Sequence, residues 1–359
     1  MQEKITPGSF SCLLFSVISG FSTEFLLEGK LVEQDVWMSD LIGISVTFFI
    51  LSLLYYVQLQ HPDLTMAEAF DRLLGKGIAK LALCFFLIYI LEIQSAAYLA
   101  ITSFYRVVVL PNTPSGQIML LITLTVSYAA YLGLGTIART SQILLPIFIF
   151  FITIIFLFIY RNVNCNPFLP AFQHSASEIA YGGMISFFFP FGKSILLCFL
   201  FSRVANNRRP LLSVLIPLSL SGIYLFTATY LTFGSLGMNL MNSATFPFFS
   251  AIQLVKFGEY LERIEIMIIG IWTVFTMFEL IVFQYLFTKL FGHIFGLKGT
   301  NPFIFPIGLL FFALAQRSFP HLNDLTIYNS TIAPFSALLP TAIIPLLLAA
   351  LTLLKPKRT

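Results

Sequence analysis

Four ionisable side chains lie deep inside long apolar stretches: Glu24, Glu92, Lys193 and Glu279. A charge at the centre of a bilayer costs at least ~2.5–3.5 kcal/mol on insertion scales, so such groups face the protein interior and find partners. We hypothesise that Lys193 pairs with Glu279 or Glu92, the remaining carboxylate being protonated or facing an amine of a ligand. A purely structural ion pair is the alternative. Glu24, near the end of its stretch, can also reach the membrane interface.

Lys193 ends the sequence FFFPFGK, residues 187–193, inside an apolar stretch of residues 179–201. A stretch of ~20 apolar residues can cross a bilayer. Proline removes a backbone donor and clashes with the preceding turn, and glycine loosens the chain further. In lipid, the freed backbone groups must be satisfied by the protein or by a bound molecule. We therefore predict a discontinuous helix beside a ligand site. The candidate binding residues here are Phe189, Pro190, Gly192 and Lys193.

Helical spacing groups the other candidates. Tyr89 and Glu92 are three residues apart and share one helix face, while Phe275, Glu279 and Phe283 share a face of another helix. The alternative for these aromatic residues is ordinary core packing, which accounts for most phenylalanines in so apolar a chain.

Composition indicates the class of protein. Hydrophobic residues make up 58% of the 359 and charged residues only 10%, which predicts a membrane protein. The net charge of +4 is too small to suggest a nucleic-acid partner. The four cysteines show no metal-binding or redox spacing and suit small buried side chains. Without a nucleophile–base pattern or a phosphate-binding loop, we expect no enzyme, no cofactor and no metal.

Hydropathy predicts an all-α polytopic membrane protein that forms a single domain over residues 1–359, with two five-span halves at about 9–160 and 178–353. Spans 3 and 8 exceed the bilayer thickness and should tilt or protrude. The ten predicted spans are 9–28, 36–59, 78–109, 115–135, 141–160, 178–202, 211–233, 262–290, 302–317 and 331–353.

The distribution of basic residues predicts the orientation. With the N-terminus inside, thirteen of the twenty Lys and Arg residues fall in cytoplasmic segments and six on the opposite side. Both termini are therefore predicted to be cytoplasmic. Residues 61–76 and 246–261 predict surface helices, which serve either as interfacial connectors or as docking faces for a partner.

Residues 19–23 of span 1 include a glycine and three side chains that carry hydroxyl groups. Close helix packing accounts for Gly and Ser in membrane helices. However, spans 1 and 6 occupy equivalent positions in the two halves, and interrupted segments at matching positions indicate a substrate site at the midplane. Half-helix N-termini there suit a carboxylate. Gly20, Ser22 and Thr23 are therefore candidate ligand-binding residues.

An ordered set of landmarks runs along the chain: Gly20, Trp37, Pro62 with Leu64-Thr65, Gly75-Lys76, Thr113-Pro114, Arg139, Pro167, Pro170, residues 189–192, Phe246-Pro247, residues 261–263 and Trp272. The set resembles the spore permease family, which comprises the GerAB-type B subunits of nutrient germinant receptors within the amino acid–polyamine–organocation transporter superfamily. The resemblance covers essentially the whole chain. No single landmark is specific, but their order is.

This resemblance implies a LeuT-like fold of five plus five inverted spans with helices 1 and 6 broken. It implies a pocket among spans 1, 3, 6 and 8, in a spore inner membrane beside A and C subunits. Family members often carry an acid just after the span-6 break, where this chain has Lys193. The implied pocket residues are Gly20, Ser22, Thr23, Tyr89, Ile93, residues 189–193, Phe275, Glu279 and Phe283.

Two main functional classes follow. In the first, which the resemblance favours, the protein is a germinant-receptor subunit that binds an amino acid or similar small nutrient and signals germination. In the second, it is an amino acid transporter driven by H⁺ or Na⁺, because a buried Lys or Glu could tie its titration to substrate occupancy. A structural subunit with a vestigial pocket is a weaker third class. The fold alone does not separate them.

Overall fold

The structure, a computed structural model, is helical throughout its regular elements. Its described residues contain one isolated β-bridge, between Ile5 and Val204, and no extended strand. The described residues are 4–20, 26–164, 166, 168–205, 210–254, 265–319 and 321–354.

The first half of the chain runs from an N-terminal helix to the long apolar helix of span 5. One π-helical segment, Tyr105–Val109, extends α5. The helices are α1 (Pro7–Ser19), α2 (Leu27–Val32), α3 (Val36–Gln60), α4 (Met66–Leu74), α5 (Lys76–Phe104), α6 (Ser115–Tyr131) and α7 (Leu134–Tyr160).

The second half begins with a helix that loses its α-helical form in the middle. The π-helical segment Phe187–Phe191 and the 3-10 helix Gly192–Arg203 follow α8, and a further π-helical segment, Leu339–Ile343, joins α15 to α16. The helices are α8 (Ala176–Ser186), α9 (Pro210–Leu236), α10 (Met238–Ser243), α11 (Pro247–Gln253), α12 (Glu265–Phe295), α13 (Ile304–Ser318), α14 (Leu322–Thr331), α15 (Ala333–Leu338) and α16 (Ile344–Leu354).

Seven helical segments among the described residues are long and apolar enough to cross a membrane. They correspond to predicted spans 2, 3, 5, 6, 7, 8 and 10. The shorter apolar helices α1 and α6 occupy the positions of spans 1 and 4, and α13 at span 9 forms a pair with α14 that is bent by 95°. The polytopic α-helical architecture is confirmed, while the number ten stays a prediction.

Helix packing places α1 at the centre, where it contacts α7, α9 and α12, while α3 packs against α8 and α9. Helix α5 packs along α12, and Gln94 Nε2 donates a hydrogen bond of 2.8 Å to the Leu280 carbonyl. Spans 1, 3, 6 and 8 therefore surround one region of the interior.

The surface helix predicted within residues 61–76 forms as α4. Thr65 caps it: its hydroxyl accepts from the Glu68 N–H, and Glu68 in turn accepts from the Thr65 N–H. This reciprocal capping box satisfies two backbone donors that the first helical turn leaves unpaired. On its inner face, Phe70 packs against Phe86 and Phe199, with ring centroids 5.6 and 5.8 Å away. Helix α4 is thereby fixed to α5 and to span 6.

A buried carboxylate ties the segment before α8 to the start of α3. Asp35 accepts hydrogen bonds from the backbone N–H groups of Phe172, Gln173 and His174 at 2.7, 2.8 and 2.9 Å. The His174 ring Nδ1 lies 3.1 Å from the same carboxylate. Three backbone donors compensate the cost of burying this anion, so Asp35 positions the entry to span 6.

Candidate functional site

Span 6 is interrupted where the sequence predicts. Phe189 has φ −141° and ψ 119°, outside any helical conformation, and Pro190 follows it. A Cβ atom added at Gly192 would collide with the Phe187 carbonyl oxygen. Only glycine allows the chain to pass so close to that carbonyl, which is why the break needs both residue types.

Span 1 is interrupted at the matching position. Helix α1 ends at Ser19, and Gly20 leaves the helical conformation with φ −50° and ψ −95°. Leu26, directly before α2, is left-handed with φ 44°. A Cβ on Gly20 would lie 3.1 Å from the Phe275 carbonyl oxygen and 3.3 Å from Glu279 Oε2, so α1 approaches α12 closely here. The predicted residues Ser22 and Thr23, and also Glu24, lie outside the described residues.

Lys193 forms an ion pair with Glu279. Its Nζ lies 2.7 Å from Glu279 Oε2, and neither side chain is exposed by more than 1%. The same Nζ lies 4.7 Å from the centre of the Phe189 ring, a cation–π distance. Of the two partners predicted for Lys193, the structure selects Glu279. Each of these two buried polar groups therefore has a hydrogen-bonding partner in the apolar interior.

The other acid, Glu92, accepts a hydrogen bond from a hydroxyl group. Ser336 Oγ donates to Glu92 Oε2 at 3.0 Å, and Tyr328 lines the same cavity as this carboxylate. Glu92 is half-buried on α5, one turn from Tyr89, whose buried hydroxyl has no hydrogen-bond partner among the described residues. The region thus offers a carboxylate without a basic partner and a phenol with an unused donor.

A cavity of about 30 Å³ lies between α5, the break of span 6, α12 and α14. Three alanines on α5 leave this space, and two carboxylates reach it. A water molecule needs roughly 10–15 Å³ by this kind of measure, so the cavity holds about two waters. An amino acid requires it to widen. Its lining residues are Glu92, Ile93, Ala96, Ala97, Ala100, Phe188, Phe189, Glu279, Leu325, Tyr328 and Asn329.

The structure brings most of the described candidate residues together. Four line the cavity, Lys193 is bonded to one of these, and Gly20 adjoins both Phe275 and Glu279. The Tyr89 ring lies 6.0 Å from that of Phe188. The candidates that do not line the cavity are Gly20, Tyr89, Pro190, Gly192, Lys193, Phe275 and Phe283. Phe283 is fully buried in the hydrophobic core, and Pro190 and Gly192 are buried within the break itself.

Sequence reasoning missed the contribution of α14. Leu325, Tyr328 and Asn329 lie in a segment that the hydropathy pattern treats as a connection between spans 9 and 10. An aspartate in the first turn of this helix was a usable signal for a helix start. The position of α14 over the cavity, however, is visible only in the tertiary structure.

Asp40 was also missed. It lies inside predicted span 2 and is 5% exposed, and the Ser186 hydroxyl donates to its Oδ1 at 2.8 Å. Ser186 is the last residue of α8, directly before the break. The criterion that selected Glu92 and Glu279, an acid inside an apolar stretch, would have selected Asp40 as well.

Comparison with known proteins shows to which family this chain belongs. A family model described as "Spore germination protein" matches residues 4–319. The chain belongs to this spore germination family. It is 22% identical over 349 residues to spore germination protein KB of Bacillus subtilis (strain 168), covering 94% of this chain and 91% of that protein. It is 23% identical over 273 residues to YfkT of the same strain, whose name also refers to spore germination, covering 74% and 72%.

Among solved structures, the crystal structure of MhsT in complex with L-phenylalanine superposes with a TM-score of 0.68. The likeness covers 98% of this chain and 99% of that one at 11% sequence identity, so it concerns the fold. MhsT is a transporter with the LeuT fold. This member of the spore germination family is therefore a multi-pass membrane protein with a LeuT-like fold, as the landmarks predicted.

Proposed function

We propose that this protein is a membrane subunit of a nutrient germinant receptor, which binds an amino acid or similar small nutrient at the cavity and signals germination. One observation carries the proposal: the break of span 6 lies against a cavity that two carboxylates enter from separate helices. Membership of the spore germination family supports a role in germination. The structural likeness to a protein solved with L-phenylalanine supports an amino acid as the ligand.

The size of the cavity suggests how binding becomes a signal. About 30 Å³ does not accommodate even a small amino acid, so binding must displace at least one of α5, span 6, α12 and α14. A ligand shifts such an equilibrium only by its differential affinity for the two conformations. Helix α14 makes few contacts with the rest of the bundle and covers the cavity, which makes it our candidate for the moving element.

The proposal includes the setting of the protein. We place the chain in the spore inner membrane with both termini cytoplasmic, beside the A and C subunits of the receptor. Thirteen of twenty basic residues on one side support the orientation, and family membership supports the compartment. A conformational change in this subunit would then reach its partners through the bundle.

A binding screen on the purified full-length chain tests the proposal. Thermal stability is measured in detergent against amino acids, sugars and nucleosides, and each hit is followed by calorimetry. We expect a saturable stabilisation by a small nutrient that Glu92→Gln weakens at least tenfold, since a hydrogen bond to a charged group contributes about 1.5–3 kcal/mol. Binding that Glu92→Gln and cavity-filling variants leave unchanged would contradict the proposed site.

A transporter is the second candidate, because the chain matches MhsT over nearly its whole length. Uptake of labelled amino acid by proteoliposomes that contain this chain alone separates the two functions. Accumulation driven by an H⁺ or Na⁺ gradient would establish transport. Saturable binding without accumulation would establish a sensor.

A further inference from the structure

A second, larger recess lies at the end of α5 that is remote from α4, where span 3 ends, span 4 begins and span 9 ends. It measures about 390 Å³ and is bounded by the last turns of α5, the first turn of α6 and the last turn of α13. We call it the Arg106 recess. It shares no lining residue with the cavity described above. Its lining residues are Leu99, Thr102, Ser103, Arg106, Val107, Ser115, Met119, Ala315, Gln316, Phe319, His321 and Leu322.

The backbone of Arg106 is held in place by its own segment of the chain. The π-helical segment Tyr105–Val109 continues α5, and the Tyr105 hydroxyl lies 2.6 Å from Thr273 Oγ1 of α12. Single π-helical turns occur frequently at functional sites. The hydrogen bond between Tyr105 and Thr273 fixes this turn to α12, while the Arg106 side chain stays exposed at the recess.

The guanidinium of Arg106 gives this recess a positive charge. Among the described residues that line it, none is Asp or Glu. None of the ion pairs formed by the described residues includes Arg106. Asp324, the acid in the first turn of α14, does not line the recess, and its Oδ2 accepts from the His321 N–H at 3.1 Å. The charge of Arg106 is therefore available to an anion that enters the recess.

Neutral hydrogen-bond donors lie around this charge. Thr102 is 1% exposed, and its hydroxyl has no hydrogen-bond partner among the described residues. Other hydroxyl side chains of the spans donate to the carbonyl four residues before them, as Thr123 does to Met119 at 2.8 Å. Because Thr102 lacks such a bond, rotation about its Cα–Cβ bond can direct its hydroxyl to an occupant of the recess. Further side chains with hydroxyl or amide donors line the recess: Ser103, Ser115 and Gln316.

We propose that the Arg106 recess binds a phosphate group, held by Arg106 and by the hydroxyl and amide donors around it. Guanidinium binds phosphate oxygens in a bidentate manner. A phosphate ester presents three acceptor oxygens, one more than a carboxylate, and so uses more of the donors that line this recess. The group can come from free phosphate or from the headgroup of an anionic phospholipid, and basic pockets between membrane helices bind such headgroups.

The position of the recess suits either source. It lies at the ends of membrane-spanning helices, where water and lipid headgroups meet. Val107, which lines it, is 62% exposed, and Leu120 on α6 is 40% exposed beside the lining residue Met119. A lipid bound through its phosphate at Arg106 can place its acyl chains on this apolar surface, and free phosphate can enter from the water.

Occupancy of the recess also bears on α14, a consequence that rests on the proposed function. Leu322 lines the recess, and Leu325, one turn later, lines the cavity. A phosphate that accepts a hydrogen bond from the His321 ring holds the first turn of α14 close to α5. A nutrient that displaces α14 then binds more weakly in the presence of phosphate, and phosphate binds more weakly by the same factor in the presence of the nutrient. Binding of phosphate itself requires no nutrient, so the two proposals fail independently.

Phosphate titration of the purified full-length chain tests this site. Thermal stability in detergent is measured with sodium phosphate against sodium chloride at equal ionic strength. We expect a saturable rise in melting temperature with phosphate. Arg106→Gln should weaken the apparent affinity at least about tenfold, which corresponds to loss of one charge-assisted hydrogen bond. Arg72→Gln, at an exposed position of α4 near the other end of α5, is the matched control and should keep the wild-type response.

Thr102→Val separates binding from folding. Because the Thr102 hydroxyl has no partner among the described residues, its removal should not lower the melting temperature in the absence of phosphate. The same variant should weaken the apparent affinity for phosphate about threefold, which corresponds to loss of one neutral hydrogen bond.

Measurements in lipid identify the source of the phosphate. The chain is placed in nanodiscs of phosphatidylcholine, with or without phosphatidylglycerol, in phosphate-free buffer. Stabilisation by phosphatidylglycerol that requires Arg106 assigns the site to an anionic lipid headgroup, whereas stabilisation by sodium phosphate alone assigns it to the free ion. Equal responses of wild type and Arg106→Gln in both experiments would overturn the proposal, as would no response at all.

Discussion

Lys193 Nζ lies 2.7 Å from Glu279 Oε2, and this ion pair joins span 6 to α12 just after the helix break. Glu279 also lines the cavity and adjoins Gly20 of the first span. The pair therefore links two helices, and its Glu279 lines the candidate site. Because it is neutral overall, Glu92 is the carboxylate left to face a ligand amine.

Removing one partner of this pair should cost more than removing both. Lys193→Met leaves a buried, uncompensated carboxylate, and we expect a loss of about 3–5 kcal/mol in the free energy of unfolding. The double variant Lys193→Met/Glu279→Gln should recover much of this loss. Thermal unfolding of detergent-solubilised protein measures the order of the variants. A double variant less stable than Lys193→Met would show that the pair does more than neutralise charge.

The helix break should depend on the absence of a side chain at Gly192. Gly192→Ala places a Cβ against the Phe187 carbonyl oxygen, so we expect a large destabilisation of span 6. Gly270→Ala on α12 is the matched control, since a Cβ there meets nothing within 4 Å. It should leave stability unchanged or raise it by up to ~1 kcal/mol through better helix propensity. Equal melting temperatures for the two variants would contradict the geometry of the break.

Filling the cavity should abolish binding without unfolding the protein. Ala97→Leu places a larger side chain in a space of about 30 Å³, and overpacking of this kind costs typically ~1–3 kcal/mol in stability. Ala313→Leu, at an exposed position of α13, controls for the added bulk. Calorimetry with the nutrient found in the screen should show binding to Ala313→Leu only. Retained affinity in Ala97→Leu would place the ligand elsewhere.

The cap of α4 predicts a small dependence of stability on pH. The Thr65 N–H, donated to the Glu68 carboxylate, holds the pKa of that carboxyl below its ordinary value of 4.5. A lowered folded-state pKa contributes stability above the ordinary value, and this contribution is lost as the pH falls through the folded pKa. Because Glu68 is exposed, solvent screening keeps the effect small.

Two variants measure this effect. Glu68→Gln should flatten the stability profile below about pH 4.5, while Thr65→Ala should cost about 0.5–2 kcal/mol at neutral pH through loss of the N-cap. Melting temperatures between pH 3 and pH 7 provide the comparison. Parallel profiles for wild type and Glu68→Gln would show that the carboxylate is not stabilised by the cap.

The sequence alone determined the class, the break and the family. Apolar stretches must become helices in a bilayer because no other local structure satisfies the backbone there, so the spans could be read from hydropathy. Pro190 and Gly192 act on their own neighbours, and their effect on span 6 is therefore a local property. The ordered landmarks, which are features of the sequence alone, resemble those of the spore permeases.

Only the tertiary structure decided which groups meet. Glu92 and Glu279 were equivalent partners for Lys193 in the sequence, because spacing along the chain carries no information about which helices are neighbours. Packing of span 6 against α12 brings Glu279 to 2.7 Å, while Glu92 faces Ser336. The position of α14 over the cavity likewise arises from contacts between distant segments, and helix packing alone sets those contacts.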